Sequence, residues 1–102
     1  IHRAALAGEG ARHTALTNVF TGRPARGIVN RLIRDLGPLS PLAPEFPLAG
    51  TAIGPLRAKA ESLGSGDCSP LWAGQNTSGC RALPAAEITA ALCAGMAPAD
   101  GR

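Results

Sequence analysis

The sequence predicts an α/β segment that is mostly helical, with a single strand near residues 14–21. Three observations carry this reading: one threonine-rich run beside Leu16, Val19 and Phe20, several short amphipathic stretches, and glycines and prolines placed as punctuation between them. A lone strand cannot form a sheet by itself, so its pairing partners are expected outside the chain.

Ile1 to Gly8 reads as the tail of a helix stopped by Gly8 and Gly10. Thr14 to Thr21 is the strand candidate, closed by a turn at Gly22-Arg23. Pro24 occupies a favoured first helical position, and Ile28, Val29, Leu32, Ile33 and Leu36 then recur at spacings of three and four, predicting a helix over Pro24 to Leu36. Pro38 to Gly50 holds four prolines, each removing a donor and fixing φ, and is expected to wrap over a surface as a loop. A helix is expected over Pro55 to Leu63 with Leu56, Ala60 and Leu63 facing inward, and another over Pro84 to about Gly95 with Ile88 and Leu92 on one side. Gly74 and Gly79 leave Trp72 to Ala82 open between helix and loop. Residues 1–95 are thus read as one helical segment and residues 96–102 as a disordered tail.

Hydrophobic residues make up 45% of the 102, but much of that is alanine, and Phe20, Phe46 and Trp72 are the only aromatics. Alanine removes little area from water, so an independent core would be thin. Nine arginines and one lysine against seven acids give a net charge of +3. The arginines are spread along the chain without interleaved aromatics, which argues against nucleic-acid binding. Cys68, Cys80 and Cys93 have neither zinc-site nor disulfide spacing, so reduced thiols in a cytoplasmic protein are expected. No run approaches the roughly 18 apolar residues of a membrane span. Asn76-Thr77-Ser78 fits a glycosylation acceptor but lacks a secretory context. The opening at Ile1, without an initiator methionine, suggests an N-terminal truncation or processing event.

Self-contained catalytic chemistry is not visible. Neither His2 nor His13 lies at a motif spacing from a nucleophile, no serine sits in a G-x-S-x-G elbow, and no glycine-rich phosphate loop is present. Three blocks nevertheless have compositions unusual for plain packing: FTGRPARGI from Phe20 to Ile28, PEFPLAGTAIGPLR from Pro44 to Arg57, and SPLWAGQ from Ser69 to Gln75, followed by LPAAEI at Leu83. In this order and spacing the chain resembles the C-terminal part of the nitronate monooxygenase family, formerly 2-nitropropane dioxygenases, from Ile1 to about Leu92. The related flavin-dependent enoyl-acyl-carrier-protein reductases share a similar A-G-Q block; FTGRPARGI and Trp72 favour the monooxygenase. A small non-catalytic helical interaction module is the alternative from a different class.

The resemblance implies an FMN flavoprotein with a TIM barrel, acting on a small-molecule nitronate and O2 to give a carbonyl compound and nitrite. It also implies that the flavin-phosphate loops and the deprotonating histidine precede Ile1, so the barrel is the expected partner and no catalytic residue is assigned here. Gln75, whose amide can donate and accept, is the expected contact near flavin or substrate, with Gly74 permitting close approach; helix capping would explain Gln75 equally well. Trp72 either covers the pocket or anchors packing, and Phe46 is expected to line the barrel mouth. Relatives commonly carry Tyr-Pro where this chain has Phe46-Pro47, so a hydroxyl able to meet a nitro group is missing. Arg23 and Arg26 either hold an anion at a helix N-terminus or fix the segment onto the barrel through salt bridges.

Overall fold

In the computed structural model, residues 1–96 are described. They form α1 (His2–Ala7), a 3-10 turn (Glu9–Arg12), β1 (Thr14–Thr17), β2 (Ala25–Ile28), α2 (Arg31–Leu36), α3 (Leu48–Ser62) and α4 (Ala85–Ala94). The expected disordered tail falls almost wholly outside the described residues.

The strand is shorter than expected and does not lack a partner. β1 pairs with β2 as an antiparallel hairpin in the register Thr14 to Ile28, Ala15 to Gly27, Leu16 to Arg26 and Thr17 to Ala25. β2 occupies the first part of the stretch read as helix from Pro24. Its other edge is also taken, because Ile28 N–H donates to the Leu71 carbonyl (2.8 Å), Ala73 N–H donates to the Arg26 carbonyl (3.2 Å), and Gly27 bridges Trp72. Pairing on both edges outweighs a helical periodicity that Gly27 already weakens.

The helix is postponed to Asn30, whose Oδ1 accepts from Ile33 N–H as an N-cap. Its Nδ2 donates to the carbonyls of Gly66 (2.9 Å) and Ser69 (2.8 Å), so one buried amide starts α2 and ties it to the loop leading to Trp72. Asn30→Ala is expected to destabilise by about 2 kcal/mol, from a lost cap and a Ser69 carbonyl left without its donor, whereas the Gly66 carbonyl still accepts from Ser69 N–H. Urea unfolding of the polypeptide carrying these residues reads the change; a loss under 1 kcal/mol would contradict the assignment.

The proline-rich segment behaves as a wrapping loop up to Pro47. Thr17 Oγ1–H donates to the Pro38 carbonyl (2.6 Å), and Asn18 pairs with Ser40 through both its amide atoms. α3, however, begins at Leu48, seven residues before the expected start, and carries Pro55 inside it. The cost of an interior proline is met by tertiary burial: Ala49 is fully buried, and Ile53 packs on the cluster of Val19, Phe20, Leu32 and Ile33. A second cluster joins Ala11, Ile28 and Leu71, with Leu6 of α1 against it.

The inward reading of α3 is also corrected. Leu56 and Leu63 are 54% and 73% exposed, and with Leu48 at 61% they form an outward apolar stripe along the helix. α4 has no buried residue, leaving Ile88 and Leu92 open. The accessible surface is 7094 Å2, against about 5,400 Å2 for an independent globular chain of this mass. The radius of gyration is 16.5 Å, where about 13 Å is usual for this length. The helices thus leave considerable apolar surface uncovered by the chain's own residues.

Glu61, near the C-terminal end of α3, accepts from Ser69 Oγ–H and from Arg57 Nε–H (2.7 Å). These two bonds, that from Ser69 foremost, hold its carboxyl below the ordinary glutamate value. A depressed carboxyl stabilises the fold above its unfolded pKa, and the contribution disappears as pH falls through the lower native value. The loop from Ser65 to Ser69 should therefore loosen first on acidification, and Glu61→Gln should remove that part of the pH dependence. Amide exchange of Ser69 between pH 6 and 3 checks it; identical profiles in both proteins would contradict it.

Candidate functional site

The three distinctive sequence blocks meet in space, and β2 with its preceding turn is the meeting point. Gly22 makes the turn with φ +92°, and a Cβ there would lie 2.5 Å from both the Phe46 nitrogen and the Pro44 oxygen. Only glycine lets these two backbones touch. The contact places Arg23 with its guanidinium carbon 4.3 Å from the centre of the Phe46 ring, a cation–π pair. At the other end of the block, a Cβ on Gly27 would meet the Leu71 carbonyl oxygen at 3.1 Å.

Trp72 joins the third block to the first. Its ring meets Phe20 edge to face, with centroids 5.7 Å apart and planes at 88°. Its carbonyl oxygen lies 2.9 Å from His2 Nε2; since a carbonyl only accepts, that nitrogen carries the proton. Trp72 is thus a half-buried packing anchor in this chain, one of the two roles weighed from sequence.

Beyond it the backbone turns outward. Gly74 and Gln75 are exposed, and a Cβ on Gly74 would touch nothing within 4 Å, so the close approach expected there is not to this chain's own atoms. Gln75 does not cap α4, whose start at Pro84 has no side-chain cap. Instead it lines an open cleft of about 530 Å3 with Leu6, Glu9, Arg12, Asn76 and Ser78. Phe46 is half-exposed and does not line that cleft, so the four residues singled out divide into a Trp72–Gly74–Gln75 edge and a separate Phe46–Arg23 pair.

Neither arginine stands at a helix N-terminus, contrary to one of the two sequence readings. Arg26 lies in β2 and donates from Nη1 to Thr14 Oγ1 (3.0 Å); among the described residues, neither Arg23 nor Arg26 forms a salt bridge, and neither is at a helix start. Arg23 on Phe46 and the double role of Asn30 were missed. Asn30 had a readable signal, an amide residue just ahead of an apolar run. The Arg23 contact had none, since it joins residues more than twenty apart through a glycine turn.

The described residues form a two-stranded hairpin with short helices that leave several leucines outward. The nitronate monooxygenase family model matches residues 1–95, and the chain belongs to that family. It is 40% identical over 92 residues to a nitronate monooxygenase of Pseudomonas aeruginosa, covering 89% of this chain and 26% of the relative. To that of Paraburkholderia phytofirmans it is 41% identical over 92 residues, covering 89% and 25%. A crystal structure of nitroalkane oxidase from Streptomyces ansochromogenes superposes with a TM-score of 0.80 at 41% identity, over 91% of this chain and 26% of the other. The chain therefore spans about a quarter of the length of the relatives it matches.

Proposed function

We propose that these residues form the C-terminal helical cover of an FMN-dependent TIM-barrel enzyme, a nitronate monooxygenase that oxidises alkyl nitronates with O2 to carbonyl compounds and nitrite. The observation that carries the reading is the family match over residues 1–95, in register with three sequence blocks that converge on one hairpin. The outward leucines of α3 and the open face of α4 are surfaces such a barrel would cover.

FMN requires a phosphate cradle and a flat slot for its ring system. The described residues do not supply these: the cleft beside Gln75 is open, and the Trp72 ring is committed edge-on to Phe20. The cradle is therefore assigned to the barrel, and no chemical step is routed through the flavin by this chain. Its own residues would finish the rim of the site. Gln75 offers an amide toward flavin or substrate, Gly74 leaves that approach unobstructed, Trp72 holds the strand behind them, and Phe46 presents an apolar ring.

The full-length enzyme supplied with an alkyl nitronate in air should release nitrite and consume oxygen. NADPH-dependent reduction of an enoyl thioester with no nitrite would move the protein to the related reductases. The 102-residue chain mixed with FMN should neither bind it tightly nor turn over; robust nitrite release by the chain alone would overturn the assignment of the chemistry to the barrel.

A further inference from the structure

Ser69 is the point at which three parts of the chain are tied together. It is 3% exposed and opens the block that leads to Gln75. Its Oγ–H donates to Glu61 Oε2 near the end of α3 (2.5 Å), its carbonyl accepts from Asn30 Nδ2 at the start of α2 (2.8 Å), and its N–H donates to the Gly66 carbonyl (3.2 Å). Every polar group of the residue is engaged, and a buried hydroxyl bonded to a carboxylate is costly to strip of its partner.

From this node the chain runs along β2 with little slack. Pro70 fixes one torsion, Leu71 and Ala73 are bonded to Ile28 and Arg26, and Trp72 meets Phe20 with its ring and His2 of α1 with its carbonyl. Gln75 emerges three residues after Trp72 on the wall of the cleft of about 530 Å3, which Leu6 of α1 also lines. A span this short and this firmly held passes a shift at its root to its tip, so the place of the Gln75 amide depends on the grip at Ser69.

We propose that Ser69, gripped by Glu61 and Asn30, is a positioning residue that sets where the Gln75 amide stands at the rim of the active site. This rests on the nitronate monooxygenase reading, in which Gln75 faces flavin or substrate.

The test measures nitrite release from an alkyl nitronate by the full-length flavin-loaded enzyme, at a temperature where each variant is folded. Ser69→Ala should lower kcat/KM roughly tenfold, short of the hundredfold that about 1 Å of misplacement can cost. Gln75→Ala should lower it at least as far, and Ser69→Ala should add little in the Gln75→Ala background, because the two act through one contact. Glu61→Ala takes away the acceptor and should behave like Ser69→Ala, whereas Glu61→Gln, whose amide oxygen still accepts, should recover most of the loss. Ser62→Ala removes a hydroxyl bonded to the Lys59 carbonyl of its own helix and should change nothing. A Ser69→Ala enzyme that loses thermal stability at unchanged kcat/KM overturns the proposal, as do additive losses in the double variant or an unchanged Gln75→Ala. Should Ser69→Ala fail to fold, the Glu61 pair decides, and equal kcat/KM in Glu61→Ala and Glu61→Gln counts against the proposal. A wild type that releases no nitrite refutes the family reaction; an active wild type with any of the contrary results refutes the positioning role alone, so the two failures are distinguishable.

Discussion

Gly22→Ala is expected to destabilise the protein by about 3 kcal/mol or more, combining a non-glycine residue in the left-handed region with overpacking against immovable atoms. The added carbon would sit 2.5 Å from the Phe46 nitrogen and the Pro44 oxygen and 2.9 Å from the Glu45 carbonyl carbon. All three are backbone, so no rotamer change relieves the clash; the turn has to open, and the Arg23–Phe46 pair separates with it. The same one-carbon addition at Gly54, inside α3, meets nothing within 4 Å. There alanine should stabilise by up to about 1 kcal/mol through helix propensity. Thermal unfolding of the two variants side by side checks the claim. A Gly22→Ala protein as stable as Gly54→Ala would show that the seam between the first two blocks is not closed as described.

Phe20→Ala should cost about 3 to 5 kcal/mol, the range for emptying a buried aromatic site. Phe20 is 2% exposed and belongs to the cluster of Val19, Leu32 and Ile33, on which Ile53 and Trp72 pack, so a cavity there undermines β1, α2 and α3 together. Its edge-to-face contact adds a separable part. A double-mutant cycle with Phe20→Leu and Trp72→Leu should give a coupling of about 1 kcal/mol. Additive effects would reduce Trp72 to a bystander. Because Trp72 lies three residues before Gln75, loss of the contact should also loosen the exposed edge that the proposed function uses.

The helices α1 and α4 were legible because capping and stopping residues are local: Gly8 and Gly95 end them where the sequence indicates. The start of α3 was not, since four prolines before Gly50 describe a loop unless one knows that Ala49 is buried and that Ile53 packs on the main cluster. The hairpin was half legible. Thr14–Thr17 has strand composition, but Ala25–Ile28 is a strand only because β1 and the Leu71–Ala73 backbone lie on either side, more than fifty residues apart in sequence. Helical spacing through Ile28, Val29 and Leu32 described the wrong element for the first of these. The site shows the same division. Trp72, Gly74 and Gln75 could be picked out by composition, whereas the stacking of Arg23 on Phe46 depends on one glycine's dihedral angle and the path of a distant loop.

The hairpin is flanked on its β2 side by its own chain, with Leu71–Ala73 bonded along that edge, and the residues that end β1 are held by Pro38 and Ser40. On the β2 side, attachment to the proposed barrel would then run through side chains rather than shared backbone bonds. Lifting such a cover there would tear no ladder; it would wet a greasy seam, whose strength rises with warming from the cold.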